Sequence, residues 1–356
     1  MLKLVAESTF TSTYALHLNH RQLINEAYNV AVSDDAASER YELKSELFHF
    51  QPKHHSGQVE QKKRKRKADA NDKVNPAKEI EILKKYLQKL PKENNVSIFE
   101  LERYWDEAYT LPQLHGSNSS GIFQKFQLEG ATTYLIPPGA SFFNHNVEEL
   151  PKLLPQLLPN YDIIVMDPPW RNKYIRRVKR AKQSLGYAML DNDQLRLMPV
   201  DKLIHKHTLV AIWCTNAEQH QIALETQLLP RWRLTLLHRL KWYKLNTANV
   251  LIGEIREGNQ KQPFEMLYLA CHKDSFDQHS ASLKDVQLLL SVPSIIHSHK
   301  PPLFPWLRQH VQHVVGESTP TCLELFARYL QPQCTSIGLE VLKLMDTRLY
   351  NKIEYN

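Results

Sequence analysis

Asp167-Pro168-Pro169-Trp170 closes an apolar run, Tyr161-Asp162-Ile163-Ile164-Val165-Met166. Open α/β sheets bind ligands beyond the carboxyl ends of their strands, so this tetrapeptide stands where chemistry is expected. Two prolines fix the backbone and bring no amide hydrogens of their own. The Asp167 carboxylate and the Pro168 carbonyl are then two acceptors beside an indole. Such a set suits a planar group with an exocyclic NH2, adenine above all, and Asp167, Pro168, Pro169 and Trp170 form the candidate catalytic group. The alternative for the same residues is a tight Pro-Pro turn with its Trp in the core.

Further candidates lie towards the C-terminus. His297-Ser298-His299-Lys300-Pro301-Pro302 precedes a patterned segment from Leu303 to Val314, and Cys322-Leu323-Glu324-Leu325-Phe326-Ala327-Arg328 follows it. In this order after D-P-P-W, the stretch from Thr132 to Lys343 resembles the D-P-P-W adenine N-methyltransferases, which use S-adenosylmethionine. The resemblance implies a Rossmann-like α/β domain with permuted motif order, in which the catalytic strand precedes the cofactor strand. It implies that Lys300 reaches the carboxylate of the cofactor, that Glu324 and Arg328 hold its ribose region, and that Asp167 also borders it. Asn146, followed by Val147, stands where relatives carry an acid before the residue that meets the cofactor adenine. Leu339, before Glu340, replaces a common Asn. A charged lysine suits a carboxylate, and a carboxylate suits a diol.

The acceptor side calls for aromatic faces and cations. Trp170 and Tyr187 are expected to stack on the base, and Arg176 and Arg177 to meet phosphates. Lys241-Trp242-Tyr243-Lys244, with Asn246 beyond, alternates charged and aromatic residues, which suits phosphate contacts and base stacking or, equally, an ordinary strand with snorkelling lysines, and Pro263-Phe264-Glu265 resembles the family's P-Y-E turn, with Glu265 orienting the site. The His297-x-His299 pair lacks the further ligands of a zinc site and reads as contacts beside Lys300; no metal is expected.

These residues need elements to position them. Short apolar runs predict strands over Thr133–Ile136, Ile163–Met166, Thr208–Trp213, Arg233–Tyr243 and Glu265–Ala270, and helices over Asp191–Leu197, Ala217–Thr226, Leu303–Val314 and about Ser336–Asp346. Their alternation predicts an α/β sheet with parallel strands. No G-x-G-x-x-G follows a first strand. Upstream, helical spacing over Ala77 to Leu90 and a capping box at Ser97 predict two helices, a helical lead-in over 76–130 to a methyltransferase domain over 131–356. Residues 51–75 read as a basic disordered linker, and 1–50 show no pattern that assigns a fold.

The chain has 356 residues and a net charge of +7, of which Lys62 to Lys67 supplies six cations and Arg171 to Lys182 seven, so the remainder is net acidic. The hexabasic run reads as a nuclear localisation signal or as a solvated charge run; the second block follows the candidate site directly, where it would attract a polyanion. The quickly polar N-terminus is unlike a secretory signal, no apolar run is long enough for a membrane span, and four Cys without C-x-x-C spacing read as reduced core thiols. The expectation is a monomeric nuclear enzyme that methylates the adenine 6-amino group. The resemblance implies small nuclear RNA with 2′-O-methylated adenosine as substrate, and DNA adenine as the second candidate. The alternative is an inactive scaffold of the same fold that binds RNA or a partner; Leu339 favours it, the intact D-P-P-W and Lys300 oppose it.

Overall fold

The computed structural model describes residues 3–5, 14–28, 40–49, 76–89, 111–128, 132–171, 189–256, 262–296, 298–316 and 318–353. Its strands, in chain order, are β1 (Lys3–Val5), β2 (Tyr14–His17), β3 (Arg40–Leu43), β4 (Leu114–Ser117), β5 (Gln124–Gln127), β6 (Thr133–Ile136), β7 (Ser141–Asn144), β8 (Tyr161–Met166), β9 (Ile204–Cys214), β10 (Thr235–Lys244), β11 (Phe264–Cys271), β12 (Val286–Ser291), β13 (Cys322–Leu325), β14 (Thr335–Ile337) and β15 (Tyr350–Ile353). Eleven form one mixed sheet in the order β1-β2-β12-β10-β11-β9-β8-β13-β14-β7-β4. β9, β8, β13, β14 and β7 run parallel, whereas β11 is antiparallel to both of its neighbours, β9 and β10.

The centre of the sheet is buried on both faces, which explains the continuous apolar run of β8. Ile164 and Met166 point one way, with Val210 and Ile212, onto Leu224, Leu228 and Trp232. Ile163 and Val165 point the other way, with Leu209, Ala211 and Trp213, onto Phe304, Trp306, Leu307 and Val311. The principal helices are α1 (His20–Tyr28), α2 (Pro76–Lys89), α3 (Asn192–Arg196), α4 (Glu218–Ala223), α5 (Phe276–Leu283) and α6 (Phe304–Val315). Asp191 opens α3 with a complete capping box. All four cysteines are buried thiols.

Three expectations change. Segments of the first 50 residues join the main fold: β2 pairs parallel with β12, and β3 pairs antiparallel with β15. Within the expected helical lead-in α2 forms, but residues 111–128 carry β4 and β5, because their pairing with β7 and β6 overrides weak local propensity. The helix expected over 336–346 is instead β14 followed by turns, since Thr335–Ile337 pairs in parallel between β13 and β7 and Gly338 ends it. The second lead-in helix at Ser97 and the hexabasic run lie outside the described residues. No helix among the described residues is long and apolar enough to cross a membrane.

Candidate active site

Four parallel neighbours, β8, β13, β14 and β7, end on the same edge of the sheet, and the segments that follow them line a cleft of about 460 Å³. Asp167 and Pro169 follow β8; Phe326, Ala327 and Arg328 follow β13; Leu339 and Glu340 follow β14; Asn146, Val147 and Glu148 follow β7; Leu190 completes the wall. Local backbone chemistry sets each turn. Asn146 caps its turn by accepting from the Glu148 amide. Phe326 leaves β13 in the left-handed region at φ 64°, a conformation held by its surroundings because an apolar L residue disfavours it. Ala327 N donates to Ile337 O at 3.0 Å, and a Cβ on Gly338 would meet Ala327 O at 2.4 Å, so only glycine lets the β13 and β14 turns approach this closely.

The lining combines apolar walls (Val147, Leu190, Phe326 and Leu339), one carboxylate at the β8 end, and an amide at Asn146. Arg328 donates to Glu340, which also takes Lys343 Nζ at 2.8 Å. This donor set fits S-adenosylmethionine. Asp167 would hold its ammonium group, Asn146 and Val147 its adenine, and the Arg328–Glu340 pair would lie along its polar flank. Glu148, absent from the sequence-derived set, also borders the cleft, with its two oxygens accepting from Asn146 Nδ2 and Gln194 Nε2, each at 3.0 Å. A glutamate two residues past the expected acid carries no local signal. Glu324 is not among the lining residues: it is buried, accepts from Gln331 Nε2 at 2.8 Å, and burial, with Asp167 nearby, pushes its carboxyl up to about 8.

Lys300 is not among the lining residues either, and meets the cleft only through Asp167. Its Nζ lies 3.2 Å from Asp167 Oδ2 and 3.0 Å from Glu265 Oε2, and Lys244 Nζ pairs with the other oxygen of Glu265. Asp167 therefore joins the cofactor cleft to a chain of alternating charges, Asp167–Lys300–Glu265–Lys244. The sheet builds this chain: β11 runs opposite to β9, so its first residues reach the edge where β8 and β10 end. Trp242 and Glu265 are register partners, which places their side chains, and that of Lys244 two residues on, on one face. Burial works against the Lys300 ammonium, but Asp167 and Glu265 outweigh it and keep its pKa above the ordinary range. Burial likewise opposes the Glu265 charge, and Lys300 and Lys244 reverse it, holding the carboxyl well below the carboxylate range.

The aromatic candidates behave differently from expectation. Trp170 is buried at 4% exposure, and its Nε1 donates to Trp213 O at 2.8 Å. It anchors the D-P-P-W turn to β9 and offers little free ring face. Trp242 is 1% exposed, donates to Ser291 Oγ at 2.7 Å and packs edge-on against Trp213. Trp242 is a core residue because strand alternation turns it onto a covered face of the sheet, and Trp170 because the Pro-Pro turn folds it back onto the core beside β9. The Pro168 carbonyl already accepts the Trp170 amide at 2.8 Å, leaving one lone pair for an acceptor base. Lys241 lies on the opposite face from Lys244, its Nζ 5.2 Å from the Phe264 ring centroid. Asn246 closes its own turn by accepting from Val250 N at 2.9 Å. Arg176, Arg177, Tyr187 and His297 lie outside the described residues, and among those described no cluster of metal ligands occurs. His299 is buried beside His20, ring centroids 4.6 Å apart, and burial pushes its pKa down to about 3, with Arg328 and Lys300 adding to the effect.

Residues 161–340, from the first residue of β8 to the last of the β14 turn, match the MT-A70 family model, about half of the chain. The chain belongs to the MT-A70 family. This family's methyltransferases use S-adenosylmethionine. The chain is 31% identical to the mouse N(6)-adenine-specific methyltransferase METTL4 over 74% of its own length and 56% of that protein's. It is 31% identical to a Caenorhabditis elegans DNA N6-methyl methyltransferase, over 62% of this chain and 56% of the relative. It is 30% identical to the N6-methyladenosine RNA methyltransferase MTA1 of Pyricularia oryzae, over 60% and 55%. The matches span about half the length of these relatives. The charge chain falls within the matched segment, as does the cleft apart from Asn146, Val147 and Glu148, and the strands contributed by residues 14–17 and 40–43 lie outside it.

Proposed function

We propose that this MT-A70 protein transfers the methyl group of S-adenosylmethionine to the 6-amino group of adenine in nucleic acid. One observation carries the reading: Asp167 borders the cleft that fits the cofactor and is at the same time the end of a half-buried ion chain, so the acid of the D-P-P-W turn is held in place beside the methyl donor. The cofactor, when bound, supplies an electrophilic methyl on sulfonium. The acceptor is the harder partner, because its amino lone pair is delocalised into the ring. A hydrogen bond from that amino group to an Asp167 oxygen, and a second to the remaining lone pair of Pro168 O, would localise the electron pair on nitrogen and stabilise the charge that develops there. As the new N–C bond forms, the methyl–sulfur bond would break with release of the thioether product, and the proton lost from nitrogen would leave to Asp167 or to solvent. Holding nitrogen in line with the methyl supplies much of the rest. The base has to leave its stack to reach this edge of the sheet, which favours a single-stranded or flipped substrate.

The names of the relatives divide between RNA and DNA. Our reading is RNA, supported by the RNA methyltransferase named among the relatives, and within it the 2′-O-methylated adenosine of small nuclear RNA that the family resemblance implies; the basic block at 171–182 would attract either nucleic acid. DNA adenine is the second candidate. The enzyme acts as a monomer in the nucleus, directed there by Lys62 to Lys67. Mass spectrometry of RNA and DNA oligonucleotides of matched sequence, with and without a 2′-O-methyl group, after incubation with protein and S-adenosylmethionine, tests this. Methylation only of 2′-O-methylated RNA supports the full reading; methylation only of DNA overturns the RNA assignment; none in any oligonucleotide, with cofactor still bound, favours the inactive scaffold. Neutralising Lys62 to Lys67 in cells tests the address, and unchanged nuclear accumulation would contradict it.

A further inference from the structure

Lys244 was expected, from its place in Lys241-Trp242-Tyr243-Lys244, to meet a nucleic-acid phosphate. Its side chain instead turns inward. It is 21% exposed, pairs with Glu265, and its Nζ lies 4.7 Å from the Trp242 ring centroid. Glu265 in turn shares Lys300 with Asp167. We infer that Lys244 is a positioning residue of the methyl-transfer site, which holds Glu265 in place so that Lys300 is divided between Glu265 and the Asp167 carboxylate.

The chemistry follows from counting charges in the chain. With all four groups ionised, two cations and two carboxylates alternate and the cluster is neutral. Removing the Lys244 charge leaves Glu265 with one partner, so Lys300 is drawn towards Glu265 and away from Asp167, and the cluster carries one uncompensated negative charge in a partly buried place. Asp167 then loses the cation that fixes its orientation at the junction of cleft and acceptor. Trp242, locked by Ser291, gives the Lys244 stem a rigid wall, which explains how a flexible lysine can serve as a fixed support.

The inference rests on the proposed methyl transfer, so its test needs one readout that turnover does not supply. Lys244→Met, Lys244→Arg, Glu265→Gln and Lys244→Met/Glu265→Gln are compared by steady-state kinetics on an oligonucleotide at several salt concentrations, and by calorimetric titration with S-adenosylmethionine. The expected result for Lys244→Met is a fall in kcat of tenfold or more, with KM for the oligonucleotide and its salt slope unchanged. Its cofactor affinity should weaken several-fold, because Lys300 is displaced. Lys244→Arg, which can still pair with Glu265, should recover most of kcat, and the double variant should be no slower than Glu265→Gln alone. A raised KM with a flattened salt slope and intact kcat would overturn the inference and return Lys244 to phosphate contact. If the wild type proves inactive on every oligonucleotide, the functional reading falls, and calorimetry still decides the position: weaker cofactor binding in Lys244→Met supports it, and unchanged binding overturns it.

Discussion

Lys300 Nζ lies 3.2 Å from Asp167 Oδ2, so the lysine that family likeness directs to the cofactor rests on the acid of the D-P-P-W turn. The two roles are compatible through motion of a single side chain, because Asp167 borders the cleft. Lys300→Met tests both. It removes a charge-assisted contact and leaves Asp167 and Glu265 facing each other without their shared cation, an uncompensated charge in a half-buried place. We expect a lower melting temperature together with cofactor binding weakened tenfold or more. A variant as stable as wild type would show that Lys300 is not a buried bridge.

Trp170 is buried beneath the D-P-P-W turn, with its indole donating to Trp213 O. Trp170→Phe keeps the ring but leaves Trp213 O without its donor, a loss of about 1–3 kcal/mol for a buried acceptor. Stability and kcat should both fall, with the KM for nucleic acid unchanged. A rise confined to KM would instead place the indole against the base.

Glu324 gives a signature in pH. Its folded-state pKa, raised to about 8, exceeds its ordinary value of 4.5, so the native state binds a proton that the unfolded chain has already lost. The resulting stability is fully present below about 4.5 and is lost as pH rises through about 8. Glu324→Gln imitates the neutral acid. Relative to wild type it should gain melting temperature between pH 6 and 8.5 and change little at pH 4. Parallel curves for the two proteins would mean that Glu324 is charged throughout.

The basic block from Arg171 to Lys182 is read from sequence, and Arg176 and Arg177 lie within it. Charge reversal at both should raise KM for the oligonucleotide and flatten its dependence on salt, since fewer counterions are displaced on binding. Cofactor affinity should not move. An unchanged salt slope would send the nucleic-acid path elsewhere on the surface.

What could be read from sequence was local. The strand before Asp167, the helix opened by Asp191, and the segments around Asn146, Arg328 and Glu340 all carry their signal within a few neighbouring residues, and the structure brings the last three segments to one edge. What escaped was set by pairing across the sheet. Trp242 and Lys244 read as an interface because each alternates with a residue of the other character. Only the antiparallel register with Glu265 turns Lys244 inward, and only the packing of Trp213 buries Trp242. Phe326 reads as an ordinary apolar residue after a strand, and its left-handed backbone follows from the close approach of Ala327 to Gly338. The segment at 336–346 has helical composition, yet the free edge of β13 captured its start as a strand.

The central claim is that Asp167 acts on the acceptor amino group, and the most direct measurement compares Asp167→Asn with wild type. Asn keeps the shape but loses the charge that polarises the amine. Methyl transfer to an adenine oligonucleotide is followed by mass spectrometry, with calorimetric cofactor binding measured on the same samples. The account predicts a fall in rate on the order of 10²–10³, with S-adenosylmethionine still bound. Transfer at the wild-type rate by the Asn variant would contradict it.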